Sequence, residues 1–103
     1  MIKIDNYDEL MSSIGTGKYM LKISTPWCGP CKMVRQNIES IENDYDDVTF
    51  VDIDADDCDD KIIEDFGVRG VPVVILYNHG EEIDRTIGLQ TIEQLKNRLN
   101  NLN

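Results

Sequence analysis

The sequence predicts a layered α/β domain in which a central mixed β-sheet of about five strands is flanked by about four helices. Two observations predict this class: strand-like and helix-like patterns alternate along the 103 residues, and two strand patterns near the C-terminal end are separated only by a turn. Alternation places helices on both faces of a sheet, and the closely spaced strands form an antiparallel hairpin at its edge. Since no linker interrupts the chain, residues 1–103 are expected to form a single domain.

The N-terminal part is predicted to contain a weak strand, a short helix and a second strand. Apolar residues at helical spacing indicate the helix, which Asp5 or Asn6 would cap and Gly15 would end. Strand patterns lie before and after it, at residues 2–4 and Lys18–Ser24. The apolar residues of the helix are Tyr7, Leu10, Met11 and Ile14.

A long amphipathic helix and a third strand are predicted next. The helix begins at a pair of cysteines and carries a single apolar stripe. Residues 48–54 alternate, so that Val51 and Ile53 share one face of a strand while Phe50 and Asp52 share the other. The helical stripe consists of Val34, Ile38, Ile41 and Tyr45.

The C-terminal part is predicted to form a short helix ended by Gly67, a strand hairpin and a last helix. A nearly unbroken β-branched run indicates a buried strand over Val71–Tyr77, and a turn connects it to a strand over Glu82–Ile87. Thr91 and Gln94 form a capping box. The apolar residues are Ile62, Ile63 and Phe66 in the short helix and Ile92, Leu95, Leu99 and Leu102 in the last one, and the turn is Asn78 to Gly80.

Composition narrows the classes of function. The formal net charge is −10 with no compensating basic stripe, so nucleic acid is not an expected partner. The first residues lack the apolar stretch of a secretory signal, and no run approaches the roughly 20 apolar residues of a membrane span. We therefore expect a soluble, cytoplasmic protein that does not bind membranes. A close cysteine pair in such a protein suits redox chemistry or metal binding.

That pair, Cys28 and Cys31, lies between a predicted strand and a predicted helix. Free backbone N–H groups and the positive end of the helix dipole favour a thiolate at the first cysteine. Cys28 is thus the expected nucleophile, and Cys31, one turn further on, the expected resolving cysteine. Half of a zinc site is the alternative, although the remaining candidates, Cys58 and His79, do not form a second close pair. Cys58 is expected to be a spare thiol, and His79 to have no catalytic role.

The hexapeptide Trp27–Lys32 matches the active-site motif of the thioredoxin family, and the resemblance extends through nearly the whole chain. It implies the thioredoxin fold and the reduction of disulfides in other proteins by thiol–disulfide exchange. It also implies an electron carrier that binds no cofactor or metal and is re-reduced by a thioredoxin reductase, an NADPH-dependent flavoprotein. We further expect a monomer; a non-catalytic binding subunit of a larger complex is the alternative function. The other matching segments are residues 33–34, 67–72, 78–80 and 87–89.

By the same resemblance, the peptide bond before Pro72 would be cis and would lie beside the redox pair. In the family, extended substrate segments lie against this loop through strand-like backbone hydrogen bonds. Judged by residue type alone, Val71, Ile87 and Leu89 could instead belong to the core. The substrate-docking surface that the resemblance implies consists of Trp27, Gly29, Pro30, Gly70, Val71, Pro72, Ile87, Gly88 and Leu89.

One position departs from the family pattern. Most members carry a buried aspartate six residues before the first cysteine, where it helps to move the proton of the second; here that position is Lys22. The family's partner lysine on the neighbouring strand aligns with Asp52 or Phe50, which share a face. We hypothesise a swapped Lys22–Asp52 ion pair beneath Cys31, in which Lys22 stabilises a thiolate and Asp52 accepts a proton. The alternative is that Lys22 points to solvent.

Overall fold

The computed structural model describes residues 1–102, in which strands and helices alternate as the sequence predicts. None of the described helices is long and apolar enough to cross a membrane. The strands are β1 (Ile2–Lys3), β2 (Lys18–Ser24), β3 (Val48–Asp54), β4 (Val73–Asn78) and β5 (Glu81–Ile87). The helices are α1 (Tyr7–Ile14), α2 (Gly29–Ile41), α3 (Asp60–Asp65) and α4 (Ile92–Asn100), and a 3-10 turn at Glu42–Asp44 follows α2.

The five strands form one mixed sheet in the order β1-β3-β2-β4-β5. The β1–β3 and β2–β3 pairs are parallel, whereas β2–β4 and β4–β5 are antiparallel. The parallel pairs need helical crossovers, which α1 and α2 supply, and the last two strands form the expected hairpin. The predicted fold class is therefore confirmed.

Helices cover both faces of this sheet because successive strand residues point in opposite directions. One apolar cluster packs α1 and α3 against a face that includes Leu21 and Ile53. The other packs α2 and α4 against a face that includes Met20 and Phe50. Lys22 follows Met20 by two residues, and Asp52 follows Phe50 by two. Because the strand period is two residues, both side chains point to the α2 side of the sheet as well.

Local capping signals in the sequence are also confirmed. Asn6, one of the two candidates, caps α1 by accepting a hydrogen bond from the Glu9 N–H. Thr91 and Gln94 form the reciprocal capping box of α4. Gly67, with φ +63°, follows α3 in the left-handed conformation that glycine adopts readily.

Some predicted details were wrong. Strand β4 begins at Val73 and not at Val71, because Pro72 has no N–H to donate to the ladder. Tyr45 does not extend α2; it follows the 3-10 turn and packs, partly buried, against the α2 and α4 cluster. Two residues assigned to apolar stripes are exposed, namely Met11 in α1 and Ile92 in α4.

Candidate functional site

The candidate site lies at one end of the sheet, where four strands place their loops together. Ser24, the last residue of β2, pairs with the end of β3, and Ile23 pairs with Val73 at the start of β4. Val73 in turn pairs with Ile87, the last residue of β5. The cysteine loop after β2 and the two loops of the expected docking surface therefore occupy the same edge.

Cys28 and Cys31 form a disulfide across the first turn of α2, with their Cα atoms 5.2 Å apart. Cys28 is the N-cap residue of the helix, and its Sγ accepts a hydrogen bond from the Cys31 N–H at 3.2 Å. Pro30 suits this turn because the missing N–H would have had no helical partner there. Cys28 is 8% exposed and Cys31 only 2%, so the outer sulfur is the one that a substrate can approach.

An exposed apolar surface adjoins the cysteine pair. Trp27 is 73% exposed, and Ile87 and Leu89 are exposed as well, which excludes the core alternative for the last two. Gly29 and Pro30 are also exposed.

The two loops beside this surface are held together by backbone contacts. The Val71–Pro72 peptide is cis, as expected, and the Pro72 carbonyl accepts a hydrogen bond from the Gly88 N–H at 2.8 Å. A Cβ built on Gly70 would contact Ile87 Cγ2 at 3.8 Å, which places these segments side by side. Pro72 is buried, and Gly70, Val71 and Gly88 are partly buried.

The swapped ion pair is present in the structure. Lys22 and Asp52 are register neighbours on the parallel strands β2 and β3, and Lys22 Nζ donates to Asp52 Oδ1 at 3.1 Å. The side chain of Lys22 is 3% exposed and that of Asp52 is 18% exposed, so Lys22 does not point to solvent. A buried ammonium needs such a partner, because desolvation without one costs several kcal/mol.

Arg35 completes this cluster, and the sequence reasoning missed it. Its Nη1 donates to Asp52 Oδ2 at 2.8 Å, so each carboxylate oxygen of Asp52 faces one cation. The Arg35 side chain is half-exposed, and its Nε also lies 3.7 Å from Glu39 Oε2. The signal was available, since Arg35 follows Cys31 by four residues and therefore lies on the same face of α2.

Two further contacts at the site were also missed. Trp27 Nε1 donates to Asp56 Oδ2 at 2.8 Å, which ties the exposed indole to the acidic loop after β3. Asn37 Nδ2 donates to the carbonyl of Gln90 at 2.8 Å and so joins α2 to the loop after β5. Neither contact has a sequence signal, because both depend on the path of a loop.

The remaining candidates lie apart from this chemistry. Cys58 is buried before α3, and burial raises the pKa of its thiol, which lowers its reactivity. His79 lies in the β4–β5 turn, where its φ is +50°. Among residues 1–102, no group of three or more His, Cys, Asp and Glu side chains is arranged to hold a metal ion.

Comparisons with known proteins agree with this geometry. Residues 1–101 match the sequence model of the family described as Thioredoxin. The thioredoxin of Chlamydia caviae is 33% identical to this chain over 100 residues, which is 97% of each chain. The thioredoxin of Equus caballus is 32% identical over 82 residues, which is 80% of this chain and 77% of the other. The oxidised form of mitochondrial thioredoxin 3 from Saccharomyces cerevisiae matches with a TM-score of 0.90 at 28% identity, covering 99% of this chain and 95% of that one. The chain belongs to the thioredoxin family, and its Cys28–Cys31 pair is that of a disulfide oxidoreductase.

Proposed function

We propose that the chain is an electron carrier that reduces disulfides in other proteins, with Cys28 as the nucleophile and Cys31 as the resolving cysteine. The observation that carries this proposal is the position of Cys28 Sγ at the N-cap of α2, where it accepts the Cys31 N–H. That donor and the helix dipole stabilise a thiolate, which is the reactive form of the side chain. Cys31 follows one turn later, behind Cys28 and within bonding distance of it.

The reaction takes place in two exchange steps. The Cys28 thiolate attacks one sulfur of the substrate disulfide, and the other substrate sulfur leaves as a thiolate that takes up a proton. Cys31 then loses its proton and attacks Cys28 Sγ, which releases the second substrate sulfur. The substrate gains two electrons and two protons, and the Cys28–Cys31 disulfide is the oxidised product.

The exposed surface around Trp27 and Ile87 suits an extended substrate segment. Loop 70–72 and loop 87–89 lie side by side, so a strand laid along them would meet backbone groups and apolar side chains together. The docking residues in this proposal are Trp27, Gly29, Pro30, Gly70, Val71, Pro72, Ile87, Gly88 and Leu89.

The Lys22–Asp52 pair acts in the second step of this proposal. Lys22 and Asp52 line the same cavity as Cys31. Lys22 occupies the position at which most members of the family carry the buried aspartate. Lys22 stabilises the Cys31 thiolate electrostatically, and Asp52 receives the proton. In this proposal the carboxylate therefore keeps its role in proton transfer, but it lies on β3 while the lysine occupies the aspartate's usual position on β2.

The partners in this proposal are disulfide-containing proteins and an NADPH-dependent flavoprotein reductase. The carrier acts in the cytoplasm, as a monomer, and needs no cofactor of its own because the cysteine pair holds both electrons. Alkylation of the cysteines in intact cells tests the location, since a cytoplasmic carrier is mostly in the dithiol form.

Reduction of insulin tests the function. The chain should accelerate insulin reduction by dithiothreitol, and then by NADPH with candidate reductases. Cys28→Ser should abolish the acceleration, and Cys31→Ser should leave a trapped mixed disulfide on Cys28. Cys58→Ser is the matched control and should behave like the wild type. No rate above the dithiothreitol background would contradict the proposal; a cellular role that survives Cys28→Ser with Cys31→Ser would favour the binding subunit instead.

A further inference from the structure

A cavity of about 450 Å³ is lined by Cys31 and by residues at the ends of β2 and β3. It is large enough for several waters, provided that each finds two to four polar partners. The charged side chains that line it come from four elements: Lys3 from β1, Lys22 from β2, Lys32 and Arg35 from α2, and Asp52 and Asp54 from β3. The resolving cysteine, the buried ion pair and solvent therefore meet in this space.

Among the described residues of the cavity wall, Thr25 is the one whose side chain has a fully buried polar atom without a hydrogen-bond partner. The residue is 7% exposed, and Oγ1 makes no hydrogen bond within residues 1–102. Its carbonyl accepts the Cys28 N–H at 3.4 Å, which fixes Thr25 against the cysteine loop. A buried hydroxyl without a partner destabilises the fold through its desolvation, and valine would fill the same volume without that cost. A polar group retained there indicates a bound water or a functional role.

We propose that Thr25 is a proton-relay residue for Cys31: its Oγ1 holds a water in the cavity that takes the Cys31 proton and passes it to Asp52. This inference rests on the proposed function, because the relay serves the second exchange step. A hydroxyl suits the task because it can donate one hydrogen bond and accept two.

The step is balanced without any further reagent. In the mixed disulfide, the proton moves from Cys31 Sγ to the water on Thr25 Oγ1 and from there to a carboxylate oxygen of Asp52. The Cys31 thiolate attacks Cys28 Sγ, and the Cys28–Cys31 bond forms. The electron pair of the broken bond leaves on the substrate sulfur, which takes up a proton from solvent.

The contacts of Asp52 explain how it can receive a proton. Oδ1 is held by Lys22, which is buried, and Oδ2 by Arg35, which is half-exposed. Arg35 is able to turn toward solvent at little cost, since an ion pair with a half-exposed partner contributes little to stability. The oxygen that Arg35 releases becomes the acceptor, and Lys22 stays beside the new thiolate.

A two-phase assay separates the relay step from the first attack. The reduced protein is mixed with an equimolar aromatic disulfide that releases a coloured thiolate at each exchange, so the first release reports Cys28 and the second reports Cys31. Thr25→Val should slow the second release about tenfold near neutral pH and leave the first unchanged, which is a smaller effect than the loss of a direct general base. The deficit should shrink as pH rises, because Cys31 then ionises without the relay. Thr25→Ser should restore the second release to within about twofold of the wild type.

Thr86→Val is the matched control. The Thr86 hydroxyl is likewise buried and without a partner among the described residues, but it does not line the cavity, so both phases should stay unchanged. The proposal is overturned if Thr25→Val keeps a wild-type second phase at every pH, if Thr25→Ser is as slow as Thr25→Val, or if the slowing is independent of pH. Should Thr25→Val fail to fold, a slow Thr25→Ala beside a fast Thr25→Ser supports the relay, and equal rates overturn it. A wild-type protein without the first phase would instead refute the proposed function.

Discussion

At the scale of single residues, the Lys22–Asp52–Arg35 cluster distributes its charges unequally between interior and surface. Lys22 is buried and has Asp52 as its carboxylate partner, whereas Asp52 is in contact with two cations. Removing the Asp52 carboxylate should therefore destabilise the fold more than removing the Lys22 ammonium. Loss of Asp52 leaves a buried ammonium without a counter-charge, while loss of Lys22 leaves the carboxylate paired with Arg35.

The first prediction concerns this asymmetry. Asp52→Asn should lower the free energy of unfolding by about 3 kcal/mol, because an uncompensated buried charge costs about 3–5 kcal/mol. Lys22→Met should change it by no more than about 1 kcal/mol, since an apolar side chain of similar length replaces the ammonium. Urea denaturation measures both values, and the double variant should recover much of the Asp52→Asn loss. Equal losses in the two single variants would contradict the asymmetry, because Asp52 would then depend on Lys22 as much as Lys22 depends on Asp52.

The second prediction concerns Tyr77, which is buried among the residues that pack under α1 and α3. Burial raises the pKa of its hydroxyl to about 12, the negative charge of Glu82 adds to the rise, and Arg85 opposes it. Unfolded tyrosine titrates near 10, so between about pH 10 and 12 the unfolded chain has lost a proton that the folded chain retains. Stability should therefore be complete below about pH 10 and fall by about 2–3 kcal/mol by pH 12. Urea denaturation between about pH 10 and 12 measures this fall in the free energy of unfolding. Tyr77→Phe should show a smaller fall. An equal fall in the two proteins would assign the effect to other titratable groups.

The residues that could be predicted from sequence share one property: their contacts follow from a regular period. Lys22 and Asp52 share a face of the sheet by strand alternation, and Cys28 and Cys31 lie one helical turn apart. Asp56 could not be predicted as the partner of Trp27, because the contact joins two loops that are 29 residues apart in sequence. The cluster around Asp52 was predicted only in part because Arg35 enters it from a third element.

At the scale of secondary structure, the sequence predicted the order of elements, and errors occurred at their ends. Caps with a side-chain signature were predicted well because the signature acts within four residues: Thr91 was placed correctly, and Asn6 was one of two candidates for α1. The start of β4 was misplaced because Val71 is β-branched like the strand residues, whereas Pro72 after it cannot donate to the ladder. The hairpin turn was predicted from its composition. Its geometry adds that His79 and Gly80 must both adopt a positive φ.

The third prediction concerns this turn. His79 and Gly80 both have positive φ, +50° and +85°, as a two-residue hairpin of type I′ requires. Gly80→Ala should lower the free energy of unfolding by about 1 kcal/mol, because a Cβ disfavours the left-handed region. Gly15→Ala is the matched control: its φ is −74° and no atom lies within 4 Å of an added Cβ, so it should be neutral or stabilise by up to about 1 kcal/mol. Thermal or urea unfolding compares them, and equal effects would show that the turn does not depend on backbone handedness.

At the scale of the whole molecule, one edge of the sheet gathers loops from distant parts of the chain, and the charge of the protein surrounds them. The parallel and antiparallel pairings together bring the ends of β2, β3 and β5 beside the start of β4. The net charge is −10, and six of the nine residues from Asp52 to Asp60, which follow or end β3, are aspartates. A substrate of the proposed docking surface would therefore approach Trp27 through a negative potential, and Asp56 is hydrogen-bonded to Trp27 itself.

The fourth prediction follows from that potential and concerns substrate charge. Three disulfide peptides of one length, flanked by Lys, Gln or Glu, should be reduced in that order of rate at low ionic strength, with about tenfold between the first and the last. The cause is steering of the encounter, so the difference should fall below about twofold near 1 M salt, where the Debye length is about 3 Å. Second-order rate constants for oxidation of the reduced protein measure the effect, and the Gln peptide should vary least with salt. A preference for the Lys peptide that persists at high salt would instead indicate short-range pairing with a carboxylate such as Asp56, and Asp56→Asn would then remove it. Equal rates for all three peptides at low salt would show that the net charge does not reach the docking surface.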